Sequence, residues 1–230
     1  MNETSDPVLA AAATVILLRE SGGGLEVLLL RRDTKLDFQG GAWVFPGGGV
    51  DPEDVPHGDD PFGVEAGRRA GARETLEEAG IKVDHRVLHP MSYWVTPKGT
   101  GQTRRYATWF LVGPAPDDND VTVDNDEMNA FVWISPTDAL AAHRARQIHI
   151  LPPTFVTLLE VEPHRTVGAV LEAIAARPVF HFEALPVNHD SGRVLIYSDD
   201  GGYTTGVVDS DGPRHRVWIN DGDYVYERRG

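Results

Sequence analysis

Arg73-Glu74-Thr75-Leu76-Glu77-Glu78-Ala79-Gly80-Ile81 decides how the rest of this chain is read. Glu74, Glu77 and Glu78 stand at i, i+3 and i+4. On a helix that spacing stacks three carboxylates on one face, one turn apart. Like charges held that close repel, and a folded chain keeps such a patch mainly where a cation sits on it. Hard oxygen ligands in a tight cluster suit Mg2+ or Mn2+, ions that bind protein carboxylates together with substrate phosphates. Upstream, Trp43-Val44-Phe45-Pro46-Gly47-Gly48-Gly49 reads as a strand end running into a glycine-rich turn, and Glu65 lies between the two. Glu77 and Glu78 alone would read as a solvated helix face. That reading does not account for the Arg-Glu before them, the Gly after them, Glu65 and the Phe-Pro-Gly-Gly turn together.

These residues resemble the signature of the Nudix hydrolases. That signature runs glycine, five residues, Glu, seven residues, Arg-Glu, an apolar residue, any residue, Glu-Glu, any residue, Gly and an apolar residue. Glu65, Arg73, Glu74, Glu77, Glu78, Gly80 and Ile81 match it. Thr75 stands where an aliphatic residue is usual, and the gap from Gly49 to Glu65 is longer by ten residues. The insert holds Asp51-Pro52-Glu53-Asp54 and His57-Gly58-Asp59-Asp60-Pro61 and reads as an enlarged loop. The resemblance implies an α/β fold, an α/β/α sandwich with a mixed sheet, and metal-dependent hydrolysis of a nucleoside diphosphate linkage. It implies Mg2+ (or Mn2+) on Glu74, Glu77 and Glu78, with a backbone carbonyl of Gly48 or Gly49 as a further ligand. Arg73 would hold a glutamate rotamer, that of Glu77, and Glu65 would brace the loop and helix start. Glu127, six residues before Trp133, matches a late metal ligand or base in the same pattern, against the reading that it merely belongs to the solvated acidic loop Asp117–Asp126. Which glutamate is the general base varies within the superfamily.

Substrate signals lie outside that box. Val27–Arg32, Phe45–Asp51, Trp94-Val95-Thr96-Pro97, Arg104–Phe110 and Leu151-Pro152-Pro153-Thr154 resemble the coenzyme A diphosphatase branch. The similarity runs from about residue 13 to 160, and more weakly to Tyr203. It implies cleavage of coenzyme A or acyl-CoA to 3′,5′-ADP and (acyl-)phosphopantetheine. Arg31, Arg32, Arg104 and Arg105 are candidate phosphate clamps, because guanidinium forks suit phosphate oxygens. Trp43, Trp94 and Tyr106 could stack on adenine or serve as core. Pro97, sixteen residues past Ile81, matches some ADP-ribose-cleaving relatives and keeps ADP-ribose or a nucleoside diphosphate sugar as the alternative. A non-catalytic ligand sensor on the same fold would be expected to lose the box glutamates, and this chain keeps them.

Bulk composition narrows the partners. The 230 residues carry a net charge of -14, no cysteine and a hydrophobic fraction of 41%. That charge opposes a nucleic-acid surface. Disulfides and thiol catalysis are excluded. No run has the length of a membrane span, and Ala10–Leu18 lacks the basic start of a signal peptide. The expectation is a cytoplasmic enzyme whose partner is a small nucleoside diphosphate substrate, with no nucleic acid, no membrane, and a homodimer as an open option.

Strands are expected at Ala12–Leu18, Leu25–Arg31, Ala42–Phe45, within Ile81–Val95, and at Arg105–Val112 and Ala130–Ile134. The glutamate helix is expected from Pro61 or Val64 to Ala79, stopped by Gly80. Ser135 caps a helix to about Arg146. His85 and His89 fall in the expected strand and form no ligand pair. A Nudix domain over residues 9–150 is followed by an extension over 151–230. In the extension, a short helix opens at Pro152-Pro153, Thr166 caps a second, and hairpins follow at Arg193–Tyr197, Tyr203–Val208, Arg216–Ile219 and Tyr224–Tyr226.

Overall fold

The computed structural model describes residues 7–35, 39–98 and 104–229. The apolar run around Val15–Leu18 forms the middle of a long strand, β1 (Val8–Ser21), which turns at Gly22-Gly23 into β2 (Gly24–Arg32). Two short strands follow, β3 (Trp43–Val44) and β4 (Gly47–Gly49), then helix α1 (Val64–Ala79). After it come β5 (His89–Val95), β6 (Arg104–Pro114), β7 (Met128–Ile134) and α2 (Pro136–Arg144). The chain continues with α3 (Pro152–Val161), α4 (Val167–Ala175), β8 (Phe180–Glu183), β9 (Leu185–His189), β10 (Gly192–Ile196), β11 (Arg214–Asn220) and β12 (Asp223–Arg229).

The main sheet has the order β3-β2-β1-β6-β5-β8, with β4 also paired to β1 and β7 to β2. It is mixed: β1–β6 and β5–β8 run parallel and the other pairs antiparallel. Both faces are covered, so alternate residues of one apolar strand enter different cores. Ala13, Val15 and Leu17 face one cluster with Ala70 of α1. Ile16 and Leu18 face the other, with Leu140 of α2, Phe155 of α3 and Val170 of α4. This is the expected α/β/α arrangement.

The C-terminal residues do more than lie against the sheet. β8 extends it, pairing Ser92 with Phe180 and Trp94 with Phe182. One residue later β9 starts a second, four-stranded antiparallel sheet of order β12-β11-β10-β9. Several expectations need correction. Tyr203–Val208 is a series of turns, because Tyr203 N–H donates to Asp200 O at 3.0 Å and Gly206 N–H to Gly202 O at 2.8 Å. Ile81–Leu88 is not strand; His85 opens a 3-10 turn capped by Asp84, whose side chain accepts from Arg86 N–H. The strand expected at Ala42–Phe45 shrinks to two residues, and β8 and β9 lie outside the expected strands. No helix among the described residues is long and apolar enough to cross a membrane.

Helix α1 sits tight on the sheet because its inner face is glycine and alanine. A Cβ on Gly67 would come within 2.8 Å of Trp109 Cδ1, and one on Gly71 within 2.7 Å of Val15 Cγ2. Trp109 cannot swing away freely, since its Nε1–H donates to Phe62 O at 2.9 Å. In an isolated helix Gly→Ala stabilises by about 1 kcal/mol. Overpacking a filled core costs about 1–3 kcal/mol. Gly67→Ala is therefore predicted to lower stability, with a net loss of up to about 2 kcal/mol in urea unfolding. An increase would show that α1 has room to lift.

Candidate active site

The helix that the sheet grips so closely carries the carboxylates. Thr75, the departure from an aliphatic position, is fully buried and donates its hydroxyl to Gly71 O at 2.6 Å, so it spends its polarity inside the helix. Gly80 ends the helix at φ 72°, its N–H donating to Leu76 O at 3.0 Å, a left-handed stop that glycine adopts without strain.

Arg73 gathers the acidic corner. Its Nη1 donates to Glu74 Oε1 at 2.9 Å and to Glu77 Oε2 at 3.0 Å. Its Nη2 donates to Gly49 O at 2.9 Å and to Asp54 Oδ2 at 3.0 Å. Asp54 comes from the insert and is only 4% exposed. Its carboxylate also accepts from Asp51 N–H at 2.9 Å, which closes the short turn that carries it. The insert thus has one packed end, whereas His57–Asp60 stay exposed. Asp54 was not among the residues singled out from sequence. Glu65 stays at the helix start, with Arg68 and Arg69 each 3.4 Å away and His85 Nε2 3.3 Å away.

The glycine turn is pressed onto this corner. Thr14 donates its hydroxyl to Pro46 O at 2.8 Å, and Val15 N–H donates to the same oxygen at 2.8 Å. A Cβ on Gly47 would lie 2.3 Å from Ala13 O. A Cβ on Gly48 would lie 2.5 Å from the Glu74 carboxyl carbon. Gly47 N–H donates to Glu78 Oε2 at 2.8 Å. Burial pushes the Glu78 carboxyl up to about 8, against the help of that N–H, and Glu74 and Glu127 add to the rise. Glu74 is also raised, by burial first, with Arg73 opposing and Glu77 and Glu127 contributing.

A cavity of about 540 Å3 opens over this corner. Gly47, Gly48, Gly49, Glu74, Glu127 and Arg32 line its charged end. Glu127, 59% exposed, stands at the rim 4.0 Å from Arg32 Nη2. Arg32 also has a buried Nε with no protein partner. The other three arginines lie elsewhere. Arg31 is next to Arg32 on a strand and so points to the opposite face, where its Nε donates to Asn129 Oδ1 at 2.8 Å and it lines a separate depression with Trp43 and His143. Arg105 is buried, its Nε donating to Thr96 O at 2.8 Å and its Nη2 3.3 Å from Glu183. Arg104 is exposed at the start of β6, at the strand parity of cavity-lining Tyr106 and Thr108.

The donor set fits a hard divalent cation: two buried or half-buried carboxylates, Glu74 and Glu78, meet the glycine turn with Glu127 across the cavity. Among the described residues no three His, Asp or Glu side chains are already arranged to hold an ion. The reason is visible in the contacts, since Glu74 and Glu77 both turn toward Arg73.

Glu78 gives a testable pH dependence. Its folded value, about 8, lies above the ordinary value of 4.5, so the folded state holds a proton that the unfolded chain releases. The stability from this group is full below pH 4.5 and is lost as pH rises toward 8. The metal-free protein is predicted to lose on the order of a few kcal/mol over that window, at about 1.4 kcal/mol per unit of difference. Glu78→Gln should flatten the slope in urea unfolding, and Mg2+ should raise the melting temperature more at pH 8 than at pH 5. An unchanged slope in the variant would assign the titration elsewhere.

The family model described as the NUDIX domain matches residues 8–153. The acyl-coenzyme A diphosphatase NUDT19 of Homo sapiens is 33% identical over 69 residues, which make up 30% of this chain and 18% of that protein. The Gallus gallus protein of the same name is 31% identical over 88 residues, 37% of this chain and 23% of that one. The chain therefore spans about a fifth of the length of the curated relatives it matches. The crystal structure of a NUDIX hydrolase from Alicyclobacillus acidocaldarius superposes with a TM-score of 0.63 at 21% identity, over 73% of this chain and 97% of that one, and shares the fold. With the domain model covering more than half the chain and the box glutamates gathered on one helix, the protein belongs to the NUDIX family.

Proposed function

We propose that this Nudix hydrolase cleaves the diphosphate of coenzyme A or acyl-CoA, releasing 3′,5′-ADP and (acyl-)4′-phosphopantetheine with Mg2+ or Mn2+ bound. The observation that carries the reading is the cavity itself, which joins a carboxylate corner to a long apolar end. The local identity to acyl-CoA diphosphatases supports the substrate class. Glu74, Glu78 and the Gly48 carbonyl are the residues that would hold the ion, with Glu77 joining when it leaves Arg73. The ion, when bound, offsets charge on the diphosphate oxygens and lowers the pKa of bound water.

The chain's own groups do the rest. Arg73 fixes the rotamers of Glu74 and Glu77 and ties both to the glycine turn through Gly49 O. Arg32, whose side chain lines the cavity, reaches the diphosphate from inside it. Glu127, across from Glu74, accepts a proton from the attacking water. Water oxygen bonds to one phosphorus, the bridging P–O bond breaks, and the leaving phosphate departs with the bridging oxygen. Arg104, at the exposed start of β6, is the candidate partner of the 3′-phosphate.

Pro97 also lines the cavity, so ADP-ribose belongs in any substrate panel. Purified protein with Mg2+ is expected to convert CoA to 3′,5′-ADP, read by chromatography of the products. Efficient cleavage of ADP-ribose with no turnover of CoA would replace the substrate and leave the diphosphate chemistry. Arg32→Ala is expected to lower kcat/KM by about 10-fold or more, the size of a lost charge-assisted hydrogen bond of about 1.5–3 kcal/mol. Arg105→Ala should act on stability instead, since its bonds are internal. Equal kinetic losses from both would remove Arg32 from the phosphate role.

A further inference from the structure

The far wall of the cavity comes from residues beyond the family match. Ala184, Leu195 and Tyr197 line it, whereas the match ends at residue 153. The main sheet puts them there. β8 sets Phe182 beside Trp94, and their rings stack at 3.9 Å with planes 2° apart. Ala184 follows β8 directly, so the wall begins where the sheet is extended. β10 supplies Leu195, and Tyr197, fully buried, stands edge-on to Trp94 at 5.7 Å. Leu151, Pro152 and Pro153, at the start of α3, close the adjoining side.

The chemistry of this end is narrow. Trp94 already donates its Nε1–H to Ser92 Oγ at 2.9 Å and has one face covered by Phe182. Aliphatic chains and proline rings dominate the surface, and its side-chain polar groups are the hydroxyls of Thr96, Thr108, Thr154 and the two tyrosines. A purine needs an open ring face and paired donors and acceptors along its edge. An alkyl chain needs apolar surface alone.

We propose that this C-terminal wall receives an apolar tail on the half of the substrate remote from the nucleoside. The protein then prefers acylated to unacylated coenzyme A, and Ala184 and Leu195 set the chain length it accepts. The inference rests on the coenzyme A reading above and adds a specificity role for residues outside the catalytic domain.

The test is a series of CoA, acetyl-CoA, octanoyl-CoA and palmitoyl-CoA, with kcat/KM of each ester divided by that of CoA. The wild-type ratio should climb with chain length, by at most about fourfold for each methylene that becomes fully buried. Ala184→Leu fills the wall and should move the optimum to shorter chains. Leu195→Ala opens it and should favour longer ones. Opposite shifts in ratio cannot come from partial unfolding, which lowers every substrate together. A flat wild-type profile, or variants that leave the ratios unchanged, would overturn the wall as a tail site while CoA cleavage stands. Equal weakening of CoA and its esters would hand the wall to the nucleoside and overturn the proposal in the same way. Turnover of ADP-ribose with none of the CoA compounds would overturn the substrate reading on which it rests.

Discussion

The Arg73 guanidinium makes the acidic corner tolerable. Glu74, Glu77 and Asp54 approach it from two segments nineteen or more residues apart, and Gly49 O from a third. Without a cation at their centre, these groups would oppose one another in a region where burial already raises Glu74 and Glu78. Asp54 is the least exposed of the set and depends on this contact most, since a buried carboxylate left unpaired is costly. One side chain thus joins the insert, the glycine turn and the helix. It also leaves Glu74 and Glu77 aimed at an internal partner, from which binding a cation must draw them.

The second constraint is strand parity. The central strands β1, β2 and β6 are buried on both faces, so neighbouring residues serve different sites. Arg32 reaches the cavity and Arg31 does not; Tyr106 lines it and Arg105 is tied to Thr96 and Glu183 on the other side. Adjacent arginines on a strand are alternatives, not a pair. The same alternation puts Val44 against the cavity and Trp43 against the separate depression.

What could be read in advance follows from how far apart in sequence the determinants lie. The glutamate helix, its Gly80 stop and the caps at Ser135 and Thr166 are local, set by spacing within a few residues, and they stand where the spacing put them. The burial of Asp54 needs Arg73, and nothing near Asp54 announces it. β8 needs β5, nearly ninety residues earlier, and Pro186 interrupts the pattern of β9 just beyond. Tyr203–Val208 has the composition of a strand, yet Asp200 draws the chain into turns. Its two carboxylate oxygens grip the buried Arg216 at 2.6 and 2.8 Å, and Arg216 donates to Val208 O. A fully buried ion pair overrides local preference there.

The two ends of the cavity divide the work of recognition. The chain carries a net charge of -14, and a diphosphate approaching it is repelled until it is close. Screening at physiological salt limits that repulsion to about 8 Å. On the proposed reading, the charged end would offer Arg32 and a bound cation within that distance, and both would act on the diphosphate, a group common to many nucleotide derivatives. Discrimination among them must come from what lies beyond the phosphates. Away from the carboxylate corner the cavity is lined by aliphatic and aromatic side chains, prolines and a tryptophan with its polar atom already satisfied. Part of that surface, Ala184, Leu195 and Tyr197, comes from residues beyond the family match. On that reading, chemistry and selectivity would be held by different parts of the chain, joined across the sheet by the pairing of β5 with β8.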